Sequence, residues 1–172
     1  AIMPYFKGSE GLAILDPASS DKFPVKQSMI DEVSGGKNLN GKTDKRVVAG
    51  WPGQMNGIEV LEFMIGKAGQ SDGGFDASTG YNYTQLVSKY AMGAVFYNQA
   101  CDNYLDEKMS PDVKPNDKPY KDGAAYTGKE HSWDEAFGYW GAAAHTLELS
   151  AKESYEVCLL YTSDAADDWF CV

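Results

Sequence analysis

The sequence predicts an all-α protein built as a helical bundle, and two observations carry this prediction. No segment alternates apolar and polar residues for long, as a half-buried β-strand would. Three segments instead carry apolar residues three or four positions apart, the spacing that places them on one side of a helix. Helices with one apolar side must bury those sides against each other, so a bundle follows.

The chain from Ala1 to Gly57 is predicted to contain short helices joined by long connections. It is rich in Gly, Pro, Ser, Asn and Lys, which interrupt regular structure. Met29 to Val33 and Asp44 to Ala49 are each long enough for a turn or two of helix.

Two strong helices follow. The first runs from Gly57 to Gly66 and is expected to end at Gly66 and Gly69. A Gly/Ser/Asp loop from Lys67 to Asn82 separates it from the second, which runs from Thr84 to Lys108 with Thr84 as N-cap. The apolar side of this second helix is formed by Leu86, Tyr90, Ala94, Tyr97, Cys101 and either Tyr104 or Leu105.

A polar linker from Met109 to Gly123 contains three prolines and cannot be helical throughout. The last helix is predicted from Lys129 to Glu156. Thr127 at its N-cap and Glu130 three residues later have the spacing of a capping box.

The C-terminal residues differ in character from the rest. Cys158 to Asp167 reads C-L-L-Y-T-S-D-A-A-D and resembles a translated sequencing adaptor. We therefore expect residues 1–157 to be part of a helical domain cut at both ends, and residues 158–172 to be a non-native tail.

The chain is acidic, with a formal net charge of −10, which becomes −7 without the three aspartates of the tail. An acidic chain repels phosphates and anionic lipid, so nucleic acid and membrane surfaces are not expected partners. No run of about 18 apolar residues is present, so no transmembrane segment is expected. Without the tail only Cys101 remains, which gives neither a disulfide framework nor zinc-ligand spacing.

The segment from Thr127 to Tyr139 carries the candidate site. His131 and Glu135 are one helical turn apart, about 6 Å along the axis, so both can bind one ion. Asp134 can join them or support them. Nitrogen and carboxylate ligands together suit Fe, Mn or Zn better than Ca or Mg. Glu59, on a facing helix, is a candidate further ligand.

The helix that carries His131 has two distinct sides. Trp133, Phe137 and Trp140 lie opposite His131, and we expect this aromatic stripe to be core. Gly138 and Gly141 on or near the histidine side indicate that another element covers that side, because exposed glycines weaken a helix. The alternative is that the histidine side is simply solvated. His145 lies about 21 Å further along the axis, so it is expected to be structural or on the surface.

A family resemblance rests on the same segment. Glu130 to Tyr139 reads E-H-S-W-D-E-A-F-G-Y and resembles the E-H-x-W-D-E-A-[FY]-G-Y block of an uncharacterised bacterial family related to the imelysins. The run K-Y-A-M-G-A at Lys89 to Ala94 is also similar, and the resemblance covers Gly50 to Ala151.

The resemblance implies an all-α bundle that is exported to the periplasm or held on the outer membrane as a lipoprotein, and that is linked with iron acquisition. Imelysins carry a G-x-H-x-x-E motif. In this chain Asn56 stands where the histidine would be, Glu59 matches the glutamate, and the glycine is displaced to Gly53. His131 is therefore the better candidate for the site.

Three functions remain open. The first is an exported, non-catalytic protein that binds a metal ion or a metal-containing ligand for uptake at a site including His131 and Glu135. The second is a structural cell-surface module whose histidine and acids only tie helices together. The third is a metal-dependent, peptidase-like hydrolase with Glu135 or Asp134 as the base for a metal-bound water.

Overall fold

The computed structural model describes residues 2–15, 24–140 and 148–153, and this part of the chain is mainly helical. This agrees with a mainly α-helical fold, the coarser part of the predicted all-α class. The helices are α1 (Ile2–Lys7), α2 (Asp31–Ser34), α3 (Leu39–Lys42), a short 3₁₀-helix (Pro52–Gln54), α4 (Gly57–Gln70), α5 (Tyr83–Ala91), a π-helix (Met92–Glu107) and α6 (Gly128–Trp140). In the described residues the only sheet pairs β1 (Phe75–Asp76) with β2 (Tyr81–Asn82) in antiparallel fashion. None of the helices in these ranges is long and apolar enough to cross a bilayer.

The core lies around α4. Leu61 and Ile65 of this helix pack with Phe6 of α1 and with Ala94 and Val95 at the start of the π-helix. A second cluster consists of Val60 and Met64 of α4 and Tyr83 of α5. Trp51 and Met55, from the segment before α4, pack against it. Helix α1 and the middle of the chain therefore pack together around α4.

Helix α4 is longer than predicted. Its start is fixed by a capping box, in which the Asn56 side chain accepts from the backbone of Glu59 and the Glu59 carboxylate accepts from the backbone of Asn56. Gly66 and Gly69 do not end it, and it continues to Gln70. A glycine weakens a helix only modestly, and tertiary packing of Met64 and Ile65 outweighs that cost.

The second long helix also differs from its prediction. Its N-cap is Asn82, whose side chain accepts from the Gln85 backbone, rather than Thr84, whose hydroxyl donates to the Gly73 carbonyl. At Met92 the hydrogen bonding widens from an α-helix to a π-helix. Such helices are rare and usually confined to a single turn.

The π-helix changes which side chains are buried. Its buried residues recur every four or five positions, namely Ala94, Val95, Gln99, Ala100 and Tyr104. Tyr97, predicted on the apolar side from α-helical spacing, is instead exposed. The α-helical period fails here because the backbone bonds reach five residues back, as from the Lys108 N–H to the Asn103 carbonyl.

The end of α3 and the segment that follows it are hydrogen-bonded to the π-helix. Asp44 donates its backbone N–H to the Ala94 carbonyl, and the Gln99 side chain donates to the Lys42 carbonyl. Residues 44–49 are irregular, contrary to the predicted helical turn, since their backbone groups bond to these neighbours and to residues 55–57. The predicted short helix at Met29 to Val33 corresponds to α2.

Helix α6 packs on the C-terminal part of the π-helix through a side that the sequence did not indicate. Ser132 and Ala136 are buried there, whereas Trp133 is 60% exposed and Phe137 is 48% exposed. The prediction that the aromatic stripe is core was therefore wrong for these two residues. Ser132 and Ala136 are small, and on this side of α6 the aromatic contact with the π-helix is made by Tyr139, whose ring stacks on Tyr104.

The predicted continuous helix from Lys129 to Glu156 is interrupted. Residues 148–150 are not α-helical, and a new turn at 151–153 is capped by Ser150 and Glu153. His145 and Gly141 lie outside the described residues, as do residues 154–172, so the predictions for them stay predictions.

Candidate functional site

The start of α6 fixes the position of His131. Thr127 donates its backbone N–H to the Glu130 carboxylate at 2.7 Å, and its hydroxyl accepts from the Glu130 N–H at 3.2 Å. This is the predicted capping box, and it is confirmed. The His131 backbone N–H donates to the Thr127 carbonyl, so the histidine lies at the end of the first turn.

The proline-rich linker folds back over this histidine. Tyr120 donates its backbone N–H to the Tyr126 carbonyl at 2.8 Å, which closes a turn beside α6. The ring centroids of Tyr120 and Tyr126 lie 4.2 Å and 5.6 Å from that of His131. The tyrosines cover His131, but Asp134 on the same side is exposed, so the predicted cover is present only around the histidine. Gly138, which predicted this cover, is exposed and has open space beside it.

His131 and Glu135 form the centre of the site. Nε2 of His131 lies 3.7 Å from Oε2 of Glu135, and their side chains are 25% and 34% exposed. The other carboxylate oxygen, Oε1, accepts the hydroxyl of Tyr104 at 3.2 Å. This bond holds the carboxylate so that Oε2 faces the histidine.

Tyr104 connects the site to the π-helix. Its ring stacks on Tyr139 of α6 with centroids 5.6 Å apart. Burial raises the pKa of Tyr104 far above the ordinary tyrosine value, and the negative charge of Glu135 adds to this. The phenol therefore stays protonated and keeps donating to Glu135.

Three lysines face the tyrosines of the site. Nζ of Lys108 lies 3.6 Å from the centroid of the Tyr104 ring, while Lys42 and Lys114 lie 5.8 Å and 5.6 Å from the rings of Tyr139 and Tyr120. Burial lowers the pKa of Lys108, and the positive charges of Lys114 and Lys42 act in the same direction, while Glu135 opposes them. The three positive charges are thus close enough to interact.

The side chains available as metal ligands limit what this site can bind. A nitrogen and a carboxylate oxygen on one side of a helix can hold a transition metal ion. The described residues contain no group of three or more His, Cys, Asp or Glu side chains that could hold a metal ion. Among the described residues, an ion held by His131 and Glu135 therefore has two protein ligands.

A surface cleft of about 490 Å³ lies elsewhere, between residues 44–49 and the junction of α5 with the π-helix. Arg46 on its wall bonds to Asp44 and Asp102. The cleft includes none of the predicted metal ligands.

Comparison with known proteins identifies the family to which the chain belongs. A model described as "Domain of unknown function (DUF4856)" matches residues 21–168, most of the chain. The chain belongs to this family. It has no significant match among curated proteins or among solved structures.

The DUF4856 match includes all the predicted ligands, and the structure places them in different surroundings. Only His131 and Glu135 are brought together. Asp134 is exposed on α6, and Glu59 is exposed at the start of α4, where its carboxylate caps the helix. The predicted boundary between Val157 and Cys158 lies inside the matched range and outside the described residues, so it stays a prediction.

The sequence did not indicate several residues of the candidate site. Tyr120 lies in the polar linker, where only the prolines predict structure, and the spacing of Tyr104 indicates an apolar position and no polar contact. An aromatic side chain within a polar linker was the available signal for Tyr120. Nothing in the sequence indicates that the three lysines lie together, because Lys42 and Lys108 are 66 positions apart along the chain.

Proposed function

We propose that this DUF4856 domain is a non-catalytic binding module that takes up Fe, Mn or Zn, as an ion or within a metal complex, through His131 and Glu135. The observation that carries the proposal is the 3.7 Å approach of His131 Nε2 to a half-buried Glu135 carboxylate. Half-buried nitrogen and carboxylate donors one turn apart are typical of metal sites in helical proteins.

The surroundings of the pair support binding within a complex. Tyr104 orients the Glu135 carboxylate, as an outer partner orients a metal ligand. Two protein donors leave several coordination positions for groups of the bound molecule. The tyrosine rings beside His131 offer contact area for the organic part of that molecule.

We further propose, from the resemblance to imelysin-related proteins, that the protein works in the periplasm or is tethered to the outer membrane, in metal uptake. The full-length gene tests this part. A leader peptide or a lipid-attachment cysteine upstream of Ala1 would support it, and a cytoplasmic fractionation of the native protein would contradict it.

Metal uptake by the whole chain tests the site. Equilibrium dialysis against Zn²⁺, Mn²⁺ and Fe²⁺ is expected to show binding that His131→Ala and Glu135→Gln reduce by about tenfold or more. Asp106→Asn removes an exposed carboxylate from the π-helix and serves as the control, with uptake unchanged. Equal uptake by the wild type and His131→Ala would contradict the assignment.

A structural role for the cluster is the second candidate, and the stacking of Tyr120 and Tyr126 on His131 favours it. In that case His131→Ala would lower the free energy of unfolding while metal uptake remained at the wild-type level or was absent from both proteins. Urea denaturation and dialysis on the same samples separate the two roles. A hydrolytic role gains no such support, because a metal-bound water needs a firmly held ion and the described residues place no third His, Cys, Asp or Glu side chain beside His131 and Glu135.

A further inference from the structure

The three lysines around the site come from separate parts of the chain and meet at one place. Lys42 ends α3, Lys108 follows the π-helix, and Lys114 lies in the linker. Each faces the ring of a different tyrosine, and two of those rings stack on each other. The chain as a whole carries a net charge of −10, so this positive cluster is a local exception.

Packing holds the segments that carry these lysines. The Lys42 carbonyl accepts from the buried Gln99 side chain at 2.8 Å. The side chain of Lys114 lies against Gly128, where an added Cβ would meet its Cβ at 3.2 Å. The Lys108 N–H donates to the Asn103 carbonyl at the end of the π-helix. The lysines are thus attached to fixed backbone rather than to a free loop.

The positive charges are only partly balanced: Glu135 and Glu107 oppose them at Lys108, but no carboxylate is in ion-pair contact with any of the three lysines in the described residues. All three lysines are half-buried. Glu135 is the carboxylate that acts most on Lys108, and Glu107 acts less. Like charges brought together away from bulk water raise the free energy of the protein unless an anion joins them.

We propose that Lys42, Lys108 and Lys114 form a binding site for an oxyanionic ligand, one that carries carboxylate groups, directly beside His131 and Glu135. Ammonium groups from three directions bind carboxylate oxygens through charge-assisted hydrogen bonds. The cargo metal would then arrive as an anionic chelate, with its carboxylates on the lysines and its open coordination positions at His131 and Glu135. This last step rests on the proposed function, whereas the anion site does not.

Calorimetric titration of the whole chain with citrate, without metal, tests the anion site. Citrate is expected to bind, more weakly as salt is raised, and Lys108→Gln and Lys114→Gln are each expected to weaken binding about tenfold. Lys67→Gln is the matched control. Lys67 is also half-buried, with its Nζ 5.7 Å from the ring of Phe63, but it stands apart from the cluster. Circular dichroism of each variant verifies folding.

Parallel titrations with Zn²⁺ alone and with ferric citrate separate the two proposals. The anion site predicts that His131→Ala still binds metal-free citrate, while both His131→Ala and Lys108→Gln weaken ferric citrate. The inference is overturned if the wild type does not bind citrate, or if Lys67→Gln weakens it as much as Lys108→Gln. Zn²⁺ binding that ignores His131→Ala would defeat the metal site and leave the anion site standing.

Discussion

At the scale of single residues, Tyr104 is the side chain on which the site depends. It is 3% exposed, donates to Glu135, stacks on Tyr139 and faces Lys108. The pair of His131 and Glu135 could be predicted from the sequence because an i,i+4 spacing fixes proximity on any helix. The contact of Tyr104 could not, because it depends on how two helices pack.

Replacing Tyr104 by Phe is expected to lower the free energy of unfolding by about 1 kcal/mol near pH 7, through loss of the bond to Glu135. The pKa of Tyr104 is raised on folding, so its contribution is complete below the ordinary tyrosine pKa of about 10 and is lost as pH rises above it. The wild type should therefore lose its advantage over the variant above pH 10.

Urea denaturation at pH 7 and at pH 10.5 measures both effects. Tyr97→Phe, at an exposed position of the same π-helix, is the control and should leave stability unchanged at pH 7. A wild-type advantage that persists undiminished at pH 10.5 would show that Tyr104 is not held neutral by folding.

At the scale of elements, the start of α6 was predictable and its buried side was not. The capping box of α6 needs only Thr127 and Glu130 at the right spacing, so the sequence contains it. Which side of α6 is buried depends on how α6 packs against the π-helix. Against the π-helix, α6 buries Ser132 and Ala136 and leaves the more hydrophobic Trp133 exposed.

Thr127→Ala is expected to cost about 1 kcal/mol of stability, because the Glu130 N–H loses its acceptor at the start of α6. Chemical denaturation followed by circular dichroism measures the change. Ser88→Ala, at an exposed position within α5, is the control with an effect near zero. Equal midpoints for Thr127→Ala and the wild type would mean that the capping box contributes nothing.

At the scale of the whole molecule, the core is centred on α4 and the site lies at the far part of the π-helix. The sequence was sufficient for the helical class and for the existence of α4, where apolar residues at α-helical spacing such as Leu61 and Ile65 lie in the core. It was insufficient beyond Met92, where π-type bonding changes the spacing of buried residues.

Leu61→Ala is expected to cost roughly 2–5 kcal/mol, because Leu61 is 1% exposed in the main core cluster. Phe137→Ala on the outer side of α6 should change stability by less than about 1 kcal/mol. Denaturant midpoints of the two variants measure the difference. A larger loss for Phe137→Ala would place the core on the aromatic stripe after all.

The π-helix also determines the direction in which Tyr104 points. In an α-helix each residue turns by about 100°, so Tyr104, nine residues after Val95, would lie about 180° away from it. In this π-helix the side chains of Val95 and Tyr104 are both buried. Val95 lies in the core and Tyr104 lies against α6. A change of this segment to α-helical winding would rotate the phenol away from Glu135. Because Val95 and Tyr104 lie on the same π-helix, a change in its winding would alter the packing of the core and the geometry of the candidate site together.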